Sequence, residues 1–108
     1  MIRSEFFIPD QRIHSFSVEG HSGLAPAPHD ILCATVSGMT MLTLNTLQEV
    51  FGATLRLTVD EDRPLIQAEL IDIPKEKEEA VQGVLRGLLL QLQDLQEQYP
   101  KHLAVCIK

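Results

Sequence analysis

The stretch ATLRLTVDEDRPLIQAEL, residues 53–70, decides the fold of this chain. Its first half alternates apolar and polar side chains and places Leu55, Leu57 and Val59 on one face of a predicted strand. A charged, proline-containing turn follows, and the alternation resumes over residues 66–70. The stretch therefore predicts a β-hairpin with one apolar face, which has to pack against a second layer.

The rest of the chain supplies a second hairpin and the covering layer. Residues 2–8 and 13–19 have strand character and flank a turn, and residues 103–107 predict a last short strand. Helical periodicity extends over residues 30–50 and again over residues 81–99. The order ββαββαβ predicts an α+β two-layer sandwich, a largely antiparallel sheet with two main helices on one face.

The side-chain pattern also predicts what is buried. Ala34, Met41, Leu42 and Leu44 add apolar residues around the first helix, so we expect that helix to be buried on more than one side. The second helix is amphipathic, and Gln82 is expected on its polar face. Cys106 lies in an apolar strand and is expected to be a buried structural thiol.

Composition limits the class of protein. With 108 residues, 44% of them hydrophobic, residues 1–108 are expected to form a single domain. The net charge of −6 argues against direct nucleic-acid binding and favours a basic protein partner. No apolar run reaches the roughly 18 residues that a membrane span needs. Two distant cysteines and no recognisable leader predict a cytoplasmic protein with reduced thiols.

Chemistry-bearing residues cluster between the second predicted strand and the first helix, in GHSG (residues 20–23) and HDILCATVS (residues 29–37). His21 follows the strand directly. Asp30 is the predicted N-cap of the helix, where its side chain can accept from the amide of Cys33. Cys33 lies in the first helical turn, where unpaired amides favour a thiolate. A loop rich in glycine and proline can fold back and pair the imidazole with the thiol, as a cysteine nucleophile requires.

Other uses of these residues have to be weighed. A lone helical cysteine is more often a buried hydrophobe than a nucleophile. His29 competes with His21 for the role of base, and we favour His21 because the strand can hold it. Asp30 either caps the helix or orients His21 as a third member of a triad. A zinc site would need His21, His29, Asp30 and Cys33 from one loop without a metal-binding spacing, so no metal or cofactor is expected.

Three features together resemble the signature of the bacterial ribosomal-processing cysteine protease family: the Gly20-His21 pair, the step from His21 to Cys33, and the run DILCAxxS ending at Ser37. The resemblance implies that His21 is the general base and Cys33 the nucleophile of a cysteine endopeptidase. Gly20, Asp30 and Ser37 match motif positions and are assigned supporting roles.

The resemblance also implies a substrate and an assembly state. Members of the family remove a short, hydrophobic N-terminal peptide from a large-subunit ribosomal protein precursor, and they are typically homodimers. This chain departs from the family at Pro28, where a glycine is usual, and Pro26 adds stiffness to the same loop. The prolines are expected to restrict closure of the loop over substrate.

Two further hypotheses come from other functional classes. A non-catalytic ribosomal-protein-binding or assembly domain would retain the motif for packing and would bind the precursor without turnover. A thiol-redox sensor would need a resolving cysteine near Cys33, and the only other cysteine is Cys106. The sequence therefore favours the protease.

Overall fold

The computed structural model describes residues 1–21, 23, 30–60, 62 and 64–108. Within these residues, five strands form one sheet in the order β3-β4-β2-β1-β5. The strands are β1 (Ile2–Phe7), β2 (Ser15–Glu19), β3 (Thr54–Asp60), β4 (Leu65–Asp72) and β5 (Leu103–Ile107). Neighbouring strands are antiparallel except for β1 and β5, which are parallel.

Two helices complete the fold, and both predicted hairpins are confirmed. Helix α1 (Ile31–Asn45) continues into a π-helical segment, Thr46–Val50, and α2 spans Glu78–Gln98. Short 3₁₀ turns lie at Pro9–Gln11 and Lys75–Lys77. Gly52 follows the end of the first helical run with a φ of 70°, a conformation that glycine adopts without steric cost. The predicted order ββαββαβ is thus confirmed.

The core lies between the sheet and the two helices. Alternate residues of β1 are buried, and the ring of Phe6 stacks on that of Phe16 at 5.5 Å between centroids. From the helix layer, Leu32 and Val36 of α1 and Leu92 of α2 are buried in the same cluster. Among the described residues, no helix is long and apolar enough to cross a bilayer.

Helix α1 corrects one prediction. Leu44 is buried together with the sheet-facing residues, but Ala34, Met41 and Leu42 are exposed, so the helix is not buried on several sides within one chain. The reason is the two-layer architecture, in which a helix packs on the sheet and on its neighbour while its outer side faces solvent. The apolar residues there form an exposed patch.

Gln82 corrects a second prediction. Instead of lying on the polar face of α2, it is buried and reaches the turn between β1 and β2. Its Oε1 accepts from the amide of Ile13 and its Nε2 donates to the carbonyl of Ile13, each at 2.8 Å. These bonds satisfy backbone groups just before β2, which begins at Ser15.

Cys106 corrects a third prediction, because it is exposed rather than buried. It lies opposite Glu5 in the parallel pair of β5 and β1, on the sheet face away from the helices. The apolar character of the strand reflects its other face, where Leu103 is fully buried.

The register of the sheet determines which loops meet. Glu19 at the end of β2 lies opposite Leu65 at the start of β4, and Leu65 lies opposite Asp60 at the end of β3. Gly20, the first residue after β2, therefore lies beside Pro64, just before β4, at the end of the sheet from which the chain continues toward α1.

Candidate active site

His21 is placed by the glycine that precedes it. Gly20 has a φ of 92°, and its amide donates to the carbonyl of Pro64 at 2.8 Å. An added Cβ at Gly20 would overlap the carbonyl oxygen of Met1. Both the backbone conformation and this close approach require glycine here. His21 itself is exposed and follows β2 directly.

Cys33 is placed by the cap of α1. The amide of Cys33 donates to Oδ1 of Asp30 at 3.0 Å, and the amide of Ala34 donates to the carbonyl of Asp30 at 3.2 Å. Asp30 therefore caps the helix as predicted, and it is buried. Cys33 is half-buried in the first turn and packs against the core.

The first turn of α1 therefore brings the Asp30 carboxylate, the Cys33 thiol and the N-terminal amides of the helix together. A base beside the sulfur would be in position to take the thiol proton.

One cavity is lined by residues close in the chain to His21 and Cys33, although neither of these two is among its lining residues. Gly20, the neighbour of His21, and Ser37, one helical turn after Cys33, both line a cavity of about 300 Å³. Residues one turn apart lie on the same face of a helix, so Cys33 and Ser37 face the same side. The structure therefore brings the end of β2 and the Cys33 face of α1 to the same cavity.

Strands β3 and β4 contribute the remaining wall, which sequence reasoning missed. Val59, Asp60 and Ile66 line the cavity together with Val18 of β2. The alternation in residues 53–70 placed Val59 and Ile66 on the apolar face. Val59 and Ile66 lie beside Gly20 because of the register in which β4 pairs with β2 and with β3. The sequence alone does not predict that register.

Several predicted residues fall outside the described part of the chain. These are His29, the alternative base, and Pro26 and Pro28, which were expected to stiffen the loop. Of the four residues that a zinc site would need, His21, Asp30 and Cys33 are described.

A family model and several solved structures match this chain over most or all of its length. The model of the family described as cysteine protease Prp matches residues 1–104. A Streptococcus mutans protein, SMU.848, is 30% identical with a TM-score of 0.86, covering 99% of this chain and 93% of that one. The comparison with curated proteins found no match.

Two further structures share the fold over 100% of both chains. Both are the essential ribosomal processing protease Prp from S. aureus. One, with a covalently linked product peptide, has a TM-score of 0.90 and 21% identity. The other, with a substrate peptide, has a TM-score of 0.84 and 19% identity. With a family model matching nearly its whole length, this chain belongs to the Prp family of cysteine proteases.

Proposed function

We propose that this protease removes a short N-terminal extension from a large-subunit ribosomal protein precursor, with Cys33 as nucleophile and His21 as general base. The observation that carries the proposal is the shared cavity, which both Gly20 and Ser37 line. It gives a peptide access to the Cys33 face of α1 beside the residue that follows Gly20. Residues 1–108 are taken as one catalytic domain.

The reaction is acyl transfer. His21 takes the thiol proton, and the sulfur of Cys33 attacks the scissile carbonyl carbon to form a C–S bond and an oxyanion. When the intermediate collapses, the C–N bond breaks and His21 returns the proton to the leaving amine. That amine is the new N-terminus of the shortened protein. Water, deprotonated by His21, then attacks the thioester, which releases the N-terminal extension as a free acid and restores the thiol.

The oxyanion needs backbone donors at the start of α1. The amide of Cys33 donates to Asp30, so we assign the oxyanion to other amides of the first turn. Asp30 supports the site by capping the first turn of α1. The second hypothesis for this residue is that its carboxylate orients His21. Ser37 is a supporting residue through its place in the cavity wall.

Charge and the peptide-bound relatives support the substrate. The S. aureus proteins of the same fold hold a substrate peptide in one structure and a product peptide in the other. Ribosomal proteins are generally basic, and a net charge of −6 favours their encounter with this chain. Such a substrate also places the enzyme in the cytoplasm.

A homodimer is part of the proposal, formed through the outer side of the helix layer. Leu42 of α1 and Leu90 of α2 are both more than 60% exposed. Leu42 also lines an apolar groove of about 310 Å³ between the two helices, together with Met39, Val84 and Leu88. A second copy would remove this surface from water. Analytical ultracentrifugation of wild type and Leu42→Asp tests it, and a wild-type monomer at micromolar concentration would contradict it.

The activity is tested with the full-length precursor and mass spectrometry of the products. Cys33→Ala and His21→Ala are each expected to lower kcat/KM by about a thousandfold or more. Cys106→Ala is the matched control and should cleave at the wild-type rate, since Cys106 lies on the opposite face of the sheet. Cleavage by Cys33→Ala would exclude the proposed nucleophile.

The same experiment separates the protease from a non-catalytic assembly domain. The family places the chain among cysteine proteases, and turnover of the precursor is the outcome expected on that basis. Stoichiometric binding without a shortened product, under conditions where the thiol is reduced, would favour the binding domain instead.

A further inference from the structure

The open cavity that Ser37 and Val59 line forms a groove between α1 and β3, and exposed apolar side chains continue from it along β3. On β3, Val59 is 62% exposed and Leu57 is 39% exposed, although both lie on the sheet face that carries the core. In the centre of the same face, Phe6 and Phe16 are buried under the helices. The two helices therefore leave the inner face of the edge strand open.

Helix α1 forms the other side of this groove. Cys33, Ser37 and Met41 are spaced four residues apart, so they follow one side of the helix over two turns. Met39 and Thr43 line a different groove, the one between α1 and α2. The Cys33 side of α1 therefore faces away from α2. Met41 is exposed on α1, as are Leu57 and Val59 on β3. We call the surface formed by Ser37, Met41, Leu57, Val59 and Ile66 the α1–β3 groove.

We propose that the α1–β3 groove binds the substrate segment next to the scissile bond in an extended conformation, with apolar side chains at every second position. This inference rests on the proposed function, because it gives the groove the same peptide that Cys33 cuts. The groove begins in the cavity that Ser37, Val59 and Ile66 line, so a peptide in reach of Cys33 enters it without a break.

The distance between successive apolar residues of β3 explains why every second side chain of the substrate is expected to contact the groove. Val59 and Leu57 are two residues apart on one strand face, which separates them by roughly 6.6 Å. Side chains two residues apart in an extended peptide have the same separation. Alternate side chains of the substrate would therefore contact successive apolar residues of β3, while the intervening ones point to solvent. Specificity thus depends on a pattern of apolar residues as well as on the residue at the cut.

The test combines enzyme variants with a peptide scan. The probe is a synthetic peptide spanning the extension and the first mature residues of the precursor, with each position replaced by asparagine in turn. For the wild-type enzyme, we expect KM to rise at every second position on one side of the cut, by about tenfold at each. Equal sensitivity at consecutive positions would overturn the extended mode.

On the enzyme, Val59→Asn and Leu57→Asn are expected to raise KM for the unmodified peptide by about tenfold with little change in kcat. Val50→Asn is the matched control, because Val50 is 68% exposed at the far end of the first helical run. An unchanged KM in Val59→Asn and Leu57→Asn would overturn the proposal. So would a changed oligomeric state with unchanged KM, since a second copy would then occupy the groove.

The test of the α1–β3 groove can fail without failure of the proposed function. If wild type cleaves the peptide and Cys33→Ala does not, the catalytic assignment holds whatever the groove variants do. Binding of the peptide to Cys33→Ala, measured by fluorescence anisotropy, gives the groove a readout without turnover. Weaker binding in Val59→Asn on that background supports the groove, and equal binding contradicts it.

Discussion

The two ends of the sheet are held together in different ways. At the end where β1 turns into β2, Gln82 makes two hydrogen bonds to the backbone of Ile13, and Arg12 pairs with Glu79 at 2.7 Å. At the other end, Gly20 precedes His21 and a cavity lies between α1 and the strands. We call these the Ile13 end and the Gly20 end.

The difference separates stability from function. At the Ile13 end, a buried side chain satisfies backbone groups and ties the turn to α2, which restricts movement. At the Gly20 end, apolar side chains of β3 remain exposed, and the cavity there is where we propose that the peptide binds. A fold that is stabilised by such hydrogen bonds at one end can keep an open binding surface at the other end, at a modest cost in the free energy of unfolding.

Among the changes that compare the two ends, the largest effect is expected from filling the close approach at the Gly20 end. Gly20→Ala places a Cβ against the carbonyl of Met1 and should displace His21, lowering kcat by about a hundredfold with little change in KM. Gly23→Ala is the matched control, since Gly23 also has a positive φ, 69°, but an added Cβ there meets nothing within 4 Å. Equal losses in both variants would show that backbone strain, and not the Met1 contact, is responsible.

At the Ile13 end, Gln82→Leu leaves the amide and carbonyl of Ile13 without their side-chain partners. We expect the free energy of unfolding to fall by about 2 kcal/mol, measured by urea denaturation, while kcat stays close to wild type. Gln98→Leu, an exposed change at the end of the same helix, should have little effect. A large loss of kcat in Gln82→Leu would break the separation between the two ends.

A smaller effect is expected at the cap of α1. Asp30→Ala removes the acceptor for the amide of Cys33 and should destabilise the fold by about 1 kcal/mol. Asp30→Asn keeps an acceptor oxygen without the charge, so it should restore the stability. If Asp30→Asn is as stable as wild type but loses cleavage, the carboxylate also orients His21; if it cleaves normally, capping is its whole role.

The smallest effect concerns the exposed ion pair at the Ile13 end. The hydrogen bond and charge of Arg12 hold the pKa of Glu79 below its ordinary value. The pair therefore stabilises the fold above the ordinary pKa of a glutamate, and this contribution is lost as pH falls through the lowered value. Glu79→Gln should be slightly less stable than wild type at neutral pH, and the difference should disappear once the pH falls below the lowered pKa of Glu79. A difference that persists in acid would contradict this origin.

Much of the fold could be predicted because its rules are local. Alternation in residues 53–70 indicated the β3–β4 hairpin, and Asp30 followed by an apolar helix indicated the cap of α1. The errors came from tertiary contacts. Gln82 has the polarity of a surface residue, and only the position of Ile13 makes its burial favourable. Cys106 lies in an apolar strand whose outward face follows from the pairing with β1.

The candidate site was predictable in part for the same reason. His21 and Cys33 could be identified because their positions after a strand and in a first helical turn are local properties. The wall formed by Val59 and Ile66 could not, because it depends on the register that joins β2, β4 and β3. Histidine and cysteine can be recognised in a sequence because their side chains have known chemistry. An apolar residue such as Val59 becomes part of the site only because strand pairing places it there.

The central claim is that the thiol of Cys33 is activated by His21, and relative alkylation rates test it most directly. Both cysteines are present in one molecule, and Cys106 is the more exposed. With iodoacetamide at neutral pH and peptide mass spectrometry as readout, Cys33 should react about tenfold faster than Cys106 despite its burial. His21→Ala should abolish that advantage and leave Cys106 unchanged. Reaction of Cys33 at or below the rate of Cys106 in the wild-type protein would contradict the claim.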